Sequence, residues 1–519
     1  MDEKLSMIKK LENLIEGLEV IGSPRGLDVE VSGICHDSRL VTKGSLFICL
    51  PGTHVDGHDF VSKAVARGAV AVVAQKEMAD LETGFVRVAD SLAAMAVIAA
   101  NFYDHPASKL QLVGITGTNG KTTTSLLIES ILRSSGAVAG VLGTISYHWA
   151  GKEIPAAMTT PQSLELQSLF YQMVQDGVSH VVMEVSSHAL ALGRVAGCEF
   201  KTAVFTNLSQ DHLDFHVTME DYFAAKKLLF SSCLSPHNSS AVINLDDQYG
   251  VRIIGNGVCP ADRVIGYSAG SRVGAAMGKG AETVFVENLH LSGSGIRGRV
   301  QTPEGPIDVE SRLLGKLNLY NILAALSAAL CLGIAPEAIE EGIRNLTHVD
   351  GRLEPVCVPE RCGFQVVVDY AHTPDAMEKA ITCLREMTQK RLIAVFGCGG
   401  DRDRKKRPIM GSVAAKAADI VIITSDNPRS ELPEAILDQI EEGVKASNLP
   451  LLSPAGMVWA KKGYIRETDR RKAIELALSI ARPKDMIFIG GKGHETYQII
   501  GSSKHSFDDR QIVREYFGG

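Results

Sequence analysis

The feature that most constrains the fold is a glycine-rich loop that connects an apolar strand to a helix. A strand is predicted over Leu110–Thr116, the string Gly-Thr-Asn-Gly-Lys-Thr-Thr follows at positions 117–123, and an amphipathic helix is predicted over Thr122–Ser134. Gly117 and Gly120 let backbone amides turn toward an anion at the helix N-terminus. This arrangement predicts an α/β fold in which ATP lies at the carboxyl ends of parallel strands.

Each residue of this loop is a candidate nucleotide contact. Lys121 is expected to reach the β- and γ-phosphates, and the Thr122 hydroxyl is expected to be a ligand of Mg²⁺. The loop is shorter than the usual G-x-x-x-x-G-K-[ST] pattern, because Ile115 stands where the first glycine would be. A glycine-rich turn without a nucleotide is the alternative. The predicted contacts are Gly117, Thr118, Asn119, Gly120, Lys121, Thr122 and Thr123.

Three blocks of different composition divide the chain of 519 residues. Residues 1–108 mix short strands and helices, and residues 109–347 begin with repeated strand–loop–helix units. The Gly-rich stretch 252–315 is predicted to form β-hairpins, and a second strand–helix series occupies residues 348–519. We therefore predict three domains with boundaries near 108 and 348. Predicted strands cover residues 45–50, 69–74, 85–88, 138–143, 178–185, 202–207, 364–369, 392–397, 420–424 and 486–489, and further helices cover 91–103, 164–175 and 318–332.

The overall charge and the N-terminal segment exclude several protein classes. The net charge of −7 argues against a nucleic-acid binder, which usually presents a basic face. The N-terminal residues 1–20 are predicted to form a charged amphipathic helix, and they lack the apolar core of a signal peptide. No window has the roughly 18 apolar residues that span a bilayer. We expect a cytoplasmic protein without membrane insertion, whose 10 cysteines are reduced thiols.

Two further polar groups follow predicted strands of the central block. Glu184 ends one strand, in the position of a metal-binding carboxylate, although a surface role is the alternative. The next strand leads into a loop that contains Asp211, His212 and Asp214, which are potential metal ligands. Lys226 lies in the following helix. Its chemistry alone is consistent with a surface lysine or with a second phosphate contact.

Six strings, in order along the chain, resemble the Mur ligases of peptidoglycan synthesis. They are Gly117–Thr123, Glu184–His188, Asn207–Asp214, Asp369–Pro374, Gly399–Asp403 and Gly491–Glu495. The last three are similar to the branch that adds the third residue of the stem peptide. The resemblance extends from about residue 36 to residue 495. It implies an N-terminal UDP-binding domain, a central ATPase domain, a C-terminal Rossmann-like domain, and a role in cell-wall synthesis and thereby in cell shape and division.

The resemblance also implies roles for individual residues. Lys226 matches a lysine that the family converts to a carbamate with CO₂, which with His212 would hold a second Mg²⁺. Thr122 and Glu184 would hold the first, and Lys121, Glu184, His212 and Lys226 form the predicted catalytic set. One position departs from some members, because Leu192 stands where they carry glutamine. Ser38 would contact the UDP moiety, Thr159, Thr160, Ser186 and Arg194 the muramyl peptide, Asn321 the adenine, and Arg352 and His372 the ATP.

The string Ser425–Arg429 matches the signature of the diaminopimelate-adding branch. Diaminopimelate differs from lysine by a distal carboxylate, and the Arg429 guanidinium can pair with such a group through two hydrogen bonds. A β-turn with a solvent-facing arginine is the alternative interpretation. The predicted amino-acid contacts are Arg402, Asp426, Asn427, Pro428, Arg429, Gly491 and Glu495.

The implied reaction is an ATP-dependent amide ligation. A carboxylate of UDP-N-acetylmuramoyl-L-alanyl-D-glutamate would attack ATP to give an acyl phosphate and ADP, and the amine of meso-2,6-diaminopimelate would displace phosphate. We expect a monomer. The alternatives are the same ligase using L-lysine, a ligase similar to folylpolyglutamate synthetase, and a phosphate-loop ATPase that acts as a switch or motor.

Overall fold

The computed structural model describes residues 7–52, 55–78, 81–255, 259–270, 282–453, 456 and 460–518. The N-terminal part contains a parallel sheet in the strand order β3-β4-β5-β6 and a small antiparallel pair, β1 with β2. Its elements are β1 (Lys9–Lys10), α1 (Leu11–Leu14), β2 (Glu30–Val31), β3 (Gly33–Cys35), β4 (Ser45–Ile48), α2 (Val61–Ala66), β5 (Ala69–Ala74), β6 (Gly84–Arg87) and α3 (Ser91–Phe102).

The predicted N-terminal amphipathic helix is wrong beyond a single turn. Only Leu11–Leu14 is helical, and both leucines are buried in the N-terminal core. Lys9 and Lys10 instead pair with the strand Glu30–Val31, so pairing with a distant segment overrides the helical pattern of the local sequence. Residues 1–6 of the predicted helix lie outside the described residues.

The central part is built on a sheet with the strand order β10-β9-β8-β11-β7-β12-β13-β14-β15-β16-β17. The strands from β8 to β15 in this order are parallel, and antiparallel strands extend both edges. The strands are β7 (Gln111–Thr116), β8 (Ala139–Leu142), β9 (Ser146–Trp149), β10 (Lys152–Pro155), β11 (His180–Glu184), β12 (Thr202–Phe205), β13 (Ser240–Asn244), β14 (Arg263–Ser268), β15 (Glu282–Ser292), β16 (Gly295–Gln301) and β17 (Ile307–Ser311). The helices are α4 (Lys121–Ser134), α5 (Ser163–Gln175), α6 (Ser187–Ala191), α7 (Leu213–His216), α8 (Met219–Ser231), α9 (Gln248–Gly255), α10 (Gly315–Cys331) and α11 (Pro336–Asn345).

Alternating residues of β7 explain why helices cover both faces of this sheet. Val113 and Ile115 belong to the core beneath α4 and α10, whereas Leu112 belongs to the opposite core. Between them, Gly114 leaves room for the ring of Phe200, since a Cβ atom there would lie 2.7 Å from it. The strand β7 therefore lies between two apolar layers, and its carboxyl end positions the glycine-rich loop.

The predicted hairpins of residues 252–315 are confirmed only in part. The antiparallel strands β15, β16 and β17 form them, but β14 is a parallel strand of the main sheet, and the segment begins inside α9. Residues 256–258 and 271–281 of this segment lie outside the described residues.

The C-terminal part has a sheet with the order β18-β19-β23-β20-β21-β22, parallel except for β18. The strands are β18 (Glu354–Val356), β19 (Gln365–Asp369), β20 (Leu392–Phe396), β21 (Ile420–Ile423), β22 (Gly463–Arg466) and β23 (Met486–Gly490), and β24 (Tyr497–Ile500) pairs with β25 (Ser503–Ser506). The helices are α12 (Pro374–Met387), α13 (Lys406–Ala417), α14 (Pro433–Lys445), α15 (Arg470–Ile480) and α16 (Asp509–Tyr516). The predicted α/β class with parallel sheets is confirmed.

Across the described ranges, helices long and apolar enough to cross a lipid bilayer are absent.

Candidate active site

The glycine-rich loop lies between the end of β7 and the start of α4, as predicted. Gly117 and Gly120 have φ angles of 150° and 88°, in the region that favours glycine. A Cβ atom at Gly117 would overlap the Thr206 hydroxyl, and one at Gly120 would overlap the Asn321 side chain. Both glycines are therefore required by the backbone angle and by close packing.

Lys121 folds back over this loop. Its Nζ donates to the carbonyl oxygens of Gly117, at 2.9 Å, and Thr118, at 3.0 Å. Burial lowers the pKa of this amine, and the carboxylates of Glu184 and Asp211 oppose that effect. The cation is thus held at the mouth of the loop, where phosphate groups of a nucleotide would lie.

Glu184 is buried at the end of β11 and faces the first turn of α4. Its carboxylate accepts hydrogen bonds from the Thr122 hydroxyl at 2.9 Å, from the Thr144 amide at 2.8 Å and from the Thr144 hydroxyl at 3.0 Å. A carboxylate and a hydroxyl in direct contact are oxygen donors of the kind that Mg²⁺ prefers. Thr122 and Glu184 therefore fit the ion that they are predicted to hold.

Lys226 is buried, with 1% of its surface exposed, so its interpretation as a surface lysine is wrong. Its Nζ donates to the Gly117 carbonyl at 2.8 Å and lies 4.6 Å from the centre of the Tyr222 ring. Burial and the nearby Lys121 cation hold the pKa of Lys226 well below its ordinary value. Two amines, those of Lys121 and Lys226, thus converge on one carbonyl oxygen of the loop.

His212 immediately precedes α7 in a left-handed conformation, with φ 53°, and its ring lies 4.8 Å from that of His188. Burial lowers the pKa of the ring, an effect that the Asp211 carboxylate opposes and that Lys121 and Lys226 reinforce. The neutral imidazole is the form that binds metal ions. His212 is therefore suited to the ligand role predicted for it.

Asn321 and Arg352 contact the loop from α10 and the C-terminal part, whereas the contacts of His372 are with Tyr370 and Lys406. Asn321 packs against Gly120, and Arg352 donates to the Thr122 hydroxyl at 3.4 Å. The Nε atom of Arg352 is buried and has no hydrogen-bond partner among the described residues, so this donor is free for an anion. His372 is exposed, with Nδ1 2.9 Å from the Tyr370 carbonyl oxygen.

Asp375, at the start of α12, joins the C-terminal part to the glycine-rich loop. Its carboxylate accepts from the Asn119 side-chain amide at 3.0 Å, from the Ser209 hydroxyl at 2.6 Å and from Lys379 at 2.9 Å. The sequence alone did not predict a role for Asp375. Its only signal was its position one residue beyond the Asp369–Pro374 string.

The residues predicted to bind a peptide substrate gather beside Glu184. Thr160 donates from its hydroxyl to the Glu184 carbonyl at 2.8 Å and accepts from the Ser186 amide at 3.0 Å. Arg194 donates to the Thr160 carbonyl at 3.2 Å. The hydroxyl oxygens of Thr159 and Thr144 lie 3.1 Å apart. This group is therefore continuous with the predicted metal ligands. Leu192 follows the last residue of α6, and its backbone N–H donates to the carbonyl oxygens of His188 and Leu190.

Ser38 is not brought into this group. It is buried in the loop after β3, next to an ion pair between Asp37 and Arg39. This ion pair lowers the pKa of Asp37 to about 2. Ser38 forms no hydrogen bond to the glycine-rich loop within the described residues.

A second polar pocket lies at the carboxyl ends of β21 and β23. Asn427 donates to Glu495 at 2.9 Å, and a Cβ atom at Gly491 would lie 2.7 Å from the Asp426 carboxylate. Lys492, which was not predicted from the sequence, has its Nζ 3.1 Å from Asn427 Oδ1 and 3.2 Å from Glu495 Oε2. The predicted contacts Asp426, Asn427, Gly491 and Glu495 therefore meet in one place.

Arg429 borders this pocket and is half-buried, so it is not a solvent-facing turn residue. Its Nη1 donates to the Gly400 carbonyl at 2.7 Å, and its backbone has φ 51°. Pro428 packs against Gly400, where a Cβ atom would overlap the proline carbonyl. Arg402 is exposed and donates to the Asp401 carbonyl at 3.0 Å.

The basic run at residues 402–407 is not wholly a solvated face. Arg407 is fully buried and donates to both carboxylate oxygens of Glu431, at 3.0 and 2.8 Å. Its guanidinium holds the pKa of Glu431 at about 2. The pair anchors the loop that follows Arg429.

Comparisons with known proteins show the family of the chain. Three family models match consecutive parts of the chain: Mur ligase family, catalytic domain (residues 30–103), Mur ligase middle domain (115–329), and Mur ligase, glutamate ligase domain (351–493). The UDP-N-acetylmuramoyl-L-alanyl-D-glutamate–2,6-diaminopimelate ligase of Geobacter metallireducens is 44% identical over 98% of both chains. The chain belongs to the Mur ligase family.

Solved structures of this Mur ligase's relatives extend the comparison. A UDP-N-acetylmuramoyl-L-alanyl-D-glutamate–2,6-diaminopimelate ligase structure is 32% identical, covers 99% of both chains and has a TM-score of 0.68. Mycobacterium tuberculosis folylpolyglutamate synthase, complexed with ADP and AMPPCP, has a TM-score of 0.60 over 82% of this chain and 95% of its own. At 18% identity the second likeness concerns the fold alone. As a Mur ligase the chain is an ATP-dependent amide ligase, and the alternative of a switch or motor ATPase is wrong.

Proposed function

We propose that this Mur ligase joins meso-2,6-diaminopimelate to UDP-N-acetylmuramoyl-L-alanyl-D-glutamate in peptidoglycan synthesis. The observation that carries the proposal is the pocket at the ends of β21 and β23, where the carboxylates of Asp426 and Glu495 meet and the Arg429 guanidinium lies at the border, on the Gly400 carbonyl. A guanidinium at the border of a site lined by carboxylates suits a terminus that bears both a carboxylate and an ammonium group. The relative from Geobacter metallireducens, which carries this activity in its name, supports the same substrate.

In the first step, a carboxylate oxygen of D-glutamate attacks the γ-phosphorus of ATP, and ADP leaves. The Lys121 ammonium and the free Arg352 Nε–H stabilise the negative charge on the transferring group. In the second step, a deprotonated amine of diaminopimelate attacks the acyl carbon, and phosphate leaves as the amide forms. The remaining loop residues and Asn321 and His372 bind the nucleotide, and Thr159, Thr160, Ser186 and Arg194 orient the peptide.

Mg²⁺ would supply charge neutralisation at the phosphates. Thr122 and Glu184 would hold one ion, and His212 with a carbamate on Lys226 would hold a second. The carbamate is supported by the burial of Lys226 and by its convergence with Lys121 on the Gly117 carbonyl. Replacing one of two adjacent cations by an anion removes their repulsion and supplies oxygen ligands.

The wider assignments are part of the same proposal. Residues 1–108 form the UDP-binding domain, with Ser38 as a contact, residues 109–347 form the ATP-binding domain, and residues 348–519 form the domain that binds the amino acid. Arg402, Asn427, Pro428 and Gly491 complete the amino-acid site. The enzyme acts as a monomer in the cytoplasm.

The deciding experiment measures phosphate release with ATP, Mg²⁺ and the UDP-linked muramyl dipeptide, adding diaminopimelate or L-lysine in parallel. Mass spectrometry of the nucleotide product identifies the attached amino acid. We expect phosphate and a diaminopimelate-containing product, with lysine a poor substrate. Preferential addition of lysine, or phosphate release without any muramyl product, would overturn the proposal.

A further inference from the structure

The amino-acid pocket contains a buried cation to which no role has been given. Lys492 follows Gly491, and 0% of its surface is exposed. Its Nζ lies 3.1 Å from Asn427 Oδ1, 3.2 Å from Glu495 Oε2 and 3.5 Å from Asp426 Oδ1. A lysine is rarely buried unless its charge is compensated, and here two carboxylates of the pocket compensate it.

The charges of the pocket balance when Lys492 is included. Asp426 and Glu495 supply two negative charges, and Lys492 and Arg429 supply two positive charges. Arg402, which we also place in the amino-acid site, is exposed on the Asp401 carbonyl, so solvent and salt screen its charge and it is not counted here. The next buried cation, Arg470, is already paired with Asp509 through contacts of 2.8 and 2.7 Å, so this pair adds no net charge. A neutral pocket with separated positive and negative groups complements a zwitterionic terminus.

A terminus that carries only an ammonium group is a poor match for such a pocket. The distal end of lysine brings one positive charge, and complementing it requires a net negative pocket. Without Lys492, the carboxylates would outnumber the remaining cation and meet that requirement. Selectivity arises from such mismatches as much as from favourable contacts.

We propose that Lys492 is a specificity-determining residue, whose charge tunes the pocket for a zwitterionic terminus and against a lone ammonium. Lys492 also positions the carboxylates, since its amine contacts both Asp426 and Glu495. The inference rests on the proposed function, because it concerns how the same site distinguishes diaminopimelate from lysine.

The test compares kcat/KM for diaminopimelate and for lysine in variants that shift the pocket charge in opposite directions. Lys492→Met keeps the length of the side chain and leaves the pocket net negative. We expect the ratio of diaminopimelate to lysine to fall at least tenfold. Asp426→Asn leaves the pocket net positive, and we expect the ratio to rise, because lysine loses more than diaminopimelate does.

The double variant Lys492→Met/Asp426→Asn restores neutrality and should recover most of the lost selectivity. If Lys492 has a purely structural role, the double variant should not recover selectivity. The two single variants should then not change the ratio in opposite directions. Arg391→Met is the matched control, because Arg391 is a largely buried cation paired with Asp485 at the opposite ends of the strands. It should lower stability without changing the ratio.

The outcomes separate this inference from the proposed function. If the unaltered enzyme does not use diaminopimelate, the proposed function fails. If it does, but Lys492→Met leaves the ratio within twofold of its original value, the role of Lys492 is overturned. If Lys492→Met does not fold, Asp426→Asn alone decides the question. A ratio of diaminopimelate to lysine that stays constant or falls in Asp426→Asn would show that the pocket charge does not set the selectivity.

Discussion

Replacing Arg429 by alanine removes the cation that we expect to bind the distal carboxylate of diaminopimelate. Truncating one partner of a hydrogen-bonded charge pair costs about 2–5 kcal/mol. Arg429 is only half-buried, so the lower end of this range applies. Since about 1.4 kcal/mol is a factor of ten, a loss of about 2 kcal/mol corresponds to roughly a 30-fold rise in the KM for diaminopimelate.

The assay is steady-state phosphate release with diaminopimelate varied at saturating ATP and muramyl substrate. Arg429 also joins two loops through the Gly400 carbonyl, so a control must weaken the same junction without removing a cation. Ser430→Ala does so, because the Ser430 hydroxyl donates to Asp401 at 2.6 Å. We expect the KM for diaminopimelate in Ser430→Ala to stay within a few-fold of that of the unaltered enzyme. If Arg429→Ala raised the KM for diaminopimelate and the KM for lysine equally, Arg429 would not bind the distal carboxylate.

Three further changes test other parts of the molecule. Lys226→Ala should be nearly inactive and partly restored by formate or acetate, and full activity of the unaltered enzyme in carbonate-free buffer would contradict the carbamate. Asp375→Ala removes two hydrogen bonds between the C-terminal part and the central part, one from Asn119 of the glycine-rich loop and one from Ser209, each contributing about 1 kcal/mol, so kcat/KM for ATP should fall about tenfold or more. The control Lys379→Ala keeps those two hydrogen bonds. If both variants lost kcat/KM for ATP equally, the two hydrogen bonds would not be the cause. Arg470→Met breaks a fully buried ion pair and should lower the free energy of unfolding in urea by about 3–5 kcal/mol. Arg297→Ala breaks an exposed pair and should cost about 1 kcal/mol or less, so similar losses would refute the burial argument.

The glycine-rich loop could be predicted from the sequence because its chemistry is local. Gly117 and Gly120 are needed for backbone angles, and Lys121 and Thr122 follow them directly along the chain. The strand before the loop and the helix after it have strong patterns of their own. Neighbouring residues thus determine this part of the site.

Thr144, Asp375 and Lys492 could not be predicted, because each acts through a residue far away in the chain. Thr144 meets its partner Glu184 across 40 positions, Asp375 meets Asn119 across 256, and Lys492 meets Asp426 across 66. Side chains of these types are usually exposed, and only the fold reveals the burial of Lys492 and the distant partners of Thr144 and Asp375. Lys226 illustrates the same limit, since its helix would suit a surface lysine equally well.

The register of the C-terminal sheet explains how the two halves of the reaction are brought together. Asp369, at the end of β19, pairs with Gly490, at the end of the parallel strand β23, and the Gly491 amide donates to the Asp369 carbonyl at 3.1 Å. Beyond Asp369 the chain leads to α12, whose Asp375 contacts the glycine-rich loop, and beyond Gly490 it leads to Lys492 in the amino-acid pocket. Because adjacent parallel strands end at one edge of a sheet, Asp375, which contacts the glycine-rich loop, and the pocket that we propose for the amino acid extend from the same edge. The contact between Asp375 and Asn119 therefore holds the proposed amino-acid pocket and the glycine-rich loop in one framework, and the attack of a bound amine on an acyl phosphate requires such a fixed arrangement.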